Sequence, residues 1–152
     1  MKKNKNDMVV AENAYLREIK NNIEAAELEF FVDTDNTGTT FVIDFNSLGR
    51  VELNIFLTFR NQDVIDIRSY ITTDDYGVDS HRVLPVLNDL NNSNRFVKFV
   101  LDGEGRIFVD YSLMVYGKPE LFATNVMKVL LFIMCILNDS VPQIMQCLDK
   151  RQ

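Results

Sequence analysis

The stretch LPVLNDLNNSNRFVKFVLDGEGRIFVDYSLMVYG, residues 84–117, decides the fold. It opens inside a helix, because Val83, Leu84, Leu87 and Leu90 recur at helical spacing and share one face. Asp79 or Ser80 is placed to cap that helix, and Pro85 lies near its first turn, where a missing N–H costs little. The period then drops to two. Phe96, Lys98 and Val100 alternate with Val97, Phe99 and Leu101, and the second set, free of charge, is expected to face the core. Asp102-Gly103-Glu104-Gly105 turns the chain, so Arg95–Leu101 and Arg106–Val115 form a hairpin. Pro119 then opens a very apolar helix expected to run to about Asn138, with a short terminal helix starting at Pro142 and ending near Leu148.

On the N-terminal side of this block the same two periods recur. Leu16, Ile19, Ile23, Ala26 and Phe30 place a helix over about Val10–Glu27, preceded by a disordered tail over residues 1–9. Phe30–Asp33 and Thr39–Phe45 read as strands around a turn at Asp35-Asn36-Thr37-Gly38. Val51, Leu53, Ile55, Leu57 and Phe59 alternate with Glu52, Asn54, Phe56 and Thr58, a strand with one wet face. Asn61-Gln62-Asp63 turns the chain into a strand whose Ile65, Ile67 and Ile71 face the core, opposite Asp66, Arg68 and Tyr70. Turns this short join antiparallel neighbours, since a parallel crossover needs a dozen or more residues. The expected architecture is α+β: an antiparallel sheet made of a meander plus a hairpin, with helices packed on it, in the order α-β-β-β-β-α-β-β-α. No repeat, linker or composition break divides residues 10–148, which are expected to form a single domain.

Composition narrows the function. The chain has 152 residues, 47% hydrophobic and 25% charged, enough for one domain with its own core. Its 16 basic against 22 acidic residues leave a net charge of −6, and no basic cluster stands out, which argues against nucleic acid. Met1–Lys5 carries three lysines with no apolar run behind it, so it is neither a signal nor a transit peptide and a cytoplasmic protein is expected. Val129–Leu137 is nine consecutive apolar residues, and extending it backwards meets Lys128 and Asn125, short of the ~20 a membrane span needs. A helix apolar all round is buried on more than one side. Core, homodimer contact and client groove all remain open for it, with Phe132, Met134 and Cys135 the residues to watch. Cys135 and Cys147, in an apolar region without a secretion signal, are expected to be buried free thiols.

The asparagine-rich helix end (Asn88, Asn91, Asn92), the aromatic strand, the Asp-Gly hairpin and the exit at Leu113 and Tyr116 resemble the YbjN-like bacterial domains. These are often labelled sensory transduction regulators and share a fold with type III secretion chaperones. The resemblance covers about Val10 to Leu137. It implies a type III secretion chaperone-like α+β fold, a bacterial source, and a binding or regulatory role without catalysis. It carries over no functional residues.

Two clusters have the letters of a site. Asp33, Asp35, Thr37, Gly38 and Asp44 fall at places one, three, five, six and twelve of an EF-hand-like calcium loop. Against it, Thr37 and Asp44 are weak substitutes, and residues 39–45 alternate like a strand where an EF-hand needs a helix. Asp74, Asp75, Asp79 and His81 could ligate a metal in a small metal-dependent enzyme, yet acids before a helix also satisfy its free N–H groups. No phosphate loop, serine elbow or zinc spacing is present. The sequence therefore favours a non-enzymatic, protein-binding domain, chaperone-like or adaptor, without cofactor. Its partner is a protein client or a second copy, held through Phe56 and Tyr70 on the wet sheet face and Phe132 and Met134 on the apolar helix. A metal-dependent enzyme or a calcium module is the alternative.

Overall fold

A computed structural model describes residues 5–47, 51–60, 63–72 and 77–149. The elements are α1 (Lys5–Glu12), α2 (Ala14–Ala25), β1 (Phe30–Thr34), β2 (Thr39–Ser47), β3 (Val51–Arg60), β4 (Val64–Tyr70), α3 (Ser80–Ser93), β5 (Lys98–Leu101), β6 (Ile107–Met114) and α4 (Pro119–Asp149). The six strands make one antiparallel sheet in the order β1-β2-β3-β4-β6-β5, so the meander and the hairpin join where β4 pairs with β6. The α+β class and the order of strands are as the alternation predicts. Of the Asn61-Gln62-Asp63 turn, Asn61 and Gln62 lie outside the described residues.

The core lies between one face of this sheet and the helices. Phe41, Ile43, Leu53, Ile55, Leu57, Ile65, Ile67, Ile107 and Val109 project from the strands, and α2, α3 and α4 contribute Leu16, Ile19, Ile23, Val83, Leu87, Phe122, Val126, Leu130, Ile133, Leu137 and Ile144. Leu84, read as part of the α3 stripe, is exposed instead. The register at Val83, Leu87 and Leu90 fills that face without it.

The N-terminal segment departs from expectation. Residues 5–9 are helical, not a loose tail, and the single predicted helix is two. Asn13 is extended (φ −95°, ψ 119°), and its side-chain oxygen accepts the N–H groups of Tyr15 and Leu16 at 2.9 and 3.1 Å. An asparagine offering its own acceptor competes with helix continuation, so α2 starts afresh there. At its other end α2 closes in a Schellman geometry: Leu28 N–H donates to the Ile23 carbonyl and Glu27 N–H to that of Glu24. Glu27 takes the left-handed position usual for glycine, at φ 57°.

The C-terminal half departs in the opposite direction. No break falls at Pro142, and α4 runs unbroken for 31 residues. An internal proline costs about 3 kcal/mol in a lost hydrogen bond and a steric clash. Beyond it, Ile144 and Leu148 are 0% and 6% exposed. Burying each gives roughly 1.5–3 kcal/mol, which together offsets the penalty.

Candidate functional site

The helices cover one face of the sheet and leave the other open. Cross-strand register places Phe31, Val42, Phe56, Arg68, Asp110 and Lys98 in one row across that open face. Beside it Tyr70 pairs with Phe108, which pairs with Val100. The rings touch: Phe56 and Tyr70 meet edge-on with centroids 6.0 Å apart, and Tyr70 and Phe108 lie at 5.4 Å. Phe31, on the edge strand β1, is 62% exposed, while Phe56 and Tyr70 are half-buried.

Arg68 organises the centre of this face. Its guanidinium lies 4.2 Å over the Phe108 ring and forks onto the Asp110 carboxylate, Nε to Oδ1 at 3.3 Å and Nη2 to Oδ2 at 3.0 Å. Its pKa is pushed up, chiefly by the Asp110 hydrogen bond, with partial burial pulling the other way. The charge is fixed at every physiological pH. Arg106 lies 5.6 Å from the Tyr70 ring centroid and is tied to Asp102 and Glu104 at 2.8 and 2.7 Å. The result is an aromatic strip with two ion-paired arginines on it.

Both sheet edges meet an asparagine. At β5, Phe99 N–H donates to Asn91 Oδ1 at 2.7 Å, and Asn91 Nδ2 donates to the Phe99 carbonyl at 3.0 Å. The side-chain amide thus takes both outward backbone groups of Phe99, in the middle of this edge strand. At β1, Asn6 Nδ2 donates to the Val32 carbonyl at 3.0 Å. Strand addition is thus opposed at Phe99 on one edge and at the Val32 carbonyl on the other.

The four residues expected to bind a partner do not share one surface. Phe56 and Tyr70 are together on the open sheet face. Phe132 lies on α4, in the helix layer, and is 43% exposed. Met134 is 7% exposed and belongs to the core, because α4 packs between α2 and α3 on that side. Helical geometry also corrects the cysteines. Cys135 is exposed, while Cys147 is partly covered and its thiol donates to the Arg82 carbonyl at 3.2 Å. Although α4 is long and apolar enough to cross a membrane, half of that apolar window is buried within the protein, as in a core helix.

The two metal readings meet different obstacles. Asp33 sits on β1 opposite Thr40, and Asp44 lies four residues further along β2, about 13 Å away at strand rise, so the two cannot close on one ion. Asp35 is engaged in the turn: its Oδ1 accepts Thr37 Oγ1 at 2.6 Å, Thr37 N–H at 2.7 Å and Gly38 N–H at 3.2 Å. The Thr37 hydroxyl in particular holds its carboxyl below the usual range. Gly38 is required there, since a Cβ would lie 2.2 Å from the Phe59 carbonyl oxygen. Asp74 and Asp75 lie outside the described residues. Asp79 caps α3 by accepting the His81 N–H at 3.0 Å, and His81 is exposed. Among the described residues no three His, Cys, Asp or Glu side chains gather as metal ligands.

A cleft of about 640 Å³ lies between the α1–α2 elbow and the β1–β2 turn. Glu12, Asn13, Tyr15, Asp35, Thr37 and Phe59 line it with their neighbours, and no histidine, cysteine or basic side chain does. The hydroxyl–carboxylate contact there, Thr37 Oγ1 to Asp35, is part of the β1–β2 turn.

Sequence reading missed Arg68 and Asn91 as site-forming residues. The signal for Arg68, a cation alternating with Ile67 on a wet face, has meaning only once its neighbours Phe56 and Asp110 are known. Asn91 stood out as part of an asparagine-rich helix end, but its bond to Phe99 is a tertiary contact.

No family model matches the chain, and no characterised protein matches it by sequence. Its fold is similar to the crystal structure of YbjN from E. coli, a protein provisionally described as a transcription regulator. The TM-score is 0.52 at 19% identity, over 84% of this chain and 92% of that one. With the six-stranded antiparallel sheet and its helix layer, this makes the fold YbjN-like.

Proposed function

We propose that the chain is a non-enzymatic, protein-binding domain of regulatory or adaptor type, bacterial and cytoplasmic, that takes its partner on the open sheet face. The observation that carries this reading is the aromatic strip of Phe31, Phe56 and Tyr70 on the sheet face away from the helix layer, with Arg68 lying over a buried Phe108 between them. Aromatic and arginine side chains dominate binding energy at protein interfaces. The net charge of −6 disfavours phosphate backbones as the ligand, so regulation through a protein is the better chemical match. The asparagine bonds to Val32 and Phe99 on the two edge strands favour docking on the face over strand addition. The regulatory description of YbjN is consistent with this role.

The test is a photo-crosslinking phenylalanine analogue placed at Phe31, with Asn21, exposed on α2, as the control position. Native-cell crosslinking at 31 and not at 21, lost on adding Lys98→Glu in the same row, is the expected result. A partner that crosslinks equally from both positions, or that is captured unchanged by Phe31→Asp, overturns the sheet-face assignment.

A further inference from the structure

The outer side of α4 carries a second exposed stripe, independent of the sheet-face reading. Lys128, Leu131, Phe132, Cys135 and Asp139 are exposed, with Leu131 at 52% and Phe132 at 43%. At 3.6 residues per turn they span about 100° of the helix surface. The apolar side chains hold the middle and opposite charges hold the ends. Lys128 is four residues before Phe132 and Asp139 is four after Cys135, so the pattern is symmetric about the Phe132–Cys135 midpoint.

We propose that α4 pairs antiparallel with α4 of a second copy of this chain, about a twofold axis at that midpoint. An isologous contact needs a patch complementary to itself, and this spacing provides one. The axis sets Phe132 against the partner's Cys135, and Lys128 against the partner's Asp139, on both sides of the apolar centre. Neither charged group has an ion-pair partner among the described residues. Asp139 also shares with Asp89 the wall of a depression of about 240 Å³, a doubly acidic seat for an incoming ammonium. One helix face on another buries less than the roughly 1,200 Å² of a standard interface, so the dimer is weak and concentration-dependent.

Sedimentation equilibrium of the full chain over about three decades of concentration tests this. The expected result is a reversible monomer–dimer transition, weakened about tenfold or more by Lys128→Glu or by Asp139→Lys alone. The double reversal restores it in part, because the 128–139 pair is inverted but intact while Asp89 stays acidic. On this axis the two Cys135 residues lie about 4.5 Å apart along helices 8–10 Å apart, so a short bis-maleimide crosslinks the wild type and not Cys135→Ser. All five side chains are exposed, and unchanged thermal melts certify that the variants fold. A monomer at every concentration means that something other than a second copy covers the stripe and overturns the proposal. So does a dimer indifferent to both single reversals, or one that the double reversal fails to restore even in part.

Discussion

Asn91 shows how one side chain sets what a sheet can do. Its amide supplies one acceptor and one donor at the spacing of a neighbouring strand, so the outward-facing Phe99 N–H and C=O are satisfied without a strand beside them. Asn91→Ala leaves both groups to solvent or to a new partner, and Asn91 is half-buried. The expected loss is about 1–3 kcal/mol of stability, read by urea denaturation, together with faster amide exchange at Phe99. Asn91→Asp is the sharper variant. It keeps the acceptor for the Phe99 N–H but sets a carboxylate against the carbonyl, so it falls between wild type and Ala above the carboxylate pKa and approaches wild type when protonated in acid.

Among the elements, α4 and the N-terminal helices show what periodicity reads and what it misses. The strands were legible because alternation at Leu53, Ile55, Leu57 and at Ile65, Ile67 has one explanation, a face against a core. Helix ends were less so, because they depend on competition between local chemistry and distant packing. At Asn13 local chemistry wins and a helix divides; at Pro142 packing wins and a helix continues. The outer stripe was legible only as an apolar run, since which of its members are buried depends on where α2 and α3 sit. Pro142 itself is exposed, so its ring contributes little to the core. Pro142→Ala restores an N–H facing the Asn138 carbonyl. It is expected to raise the unfolding free energy by about 1–3 kcal/mol, with greater amide protection over the last two turns. A lower melting temperature would show instead that the backbone geometry imposed by the proline is what lets Ile144 and Leu148 reach the core.

For the whole molecule, the layers separate two surfaces. The aromatic strip is on the sheet, and the Lys128–Asp139 stripe is on the far side of the helices, with the core between them. Sites this far apart with no shared contacts act additively. Phe132→Asp is therefore expected to disrupt self-association and leave partner affinity in solution unchanged, while Phe31→Asp does the reverse. Joining two copies through their helix layers leaves both sheet faces free, which makes the dimer bivalent. On a surface densely coated with partner, the second engagement becomes intramolecular and the apparent affinity rises above the solution value. Calorimetry in solution and binding to an immobilised partner should then disagree for the wild type and agree for Phe132→Asp. Equal values for the wild type by both methods, at concentrations where sedimentation finds it dimeric, would mean that the two sheet faces cannot engage one surface together. In that case the dimer would hold two partners side by side and bring them to one another.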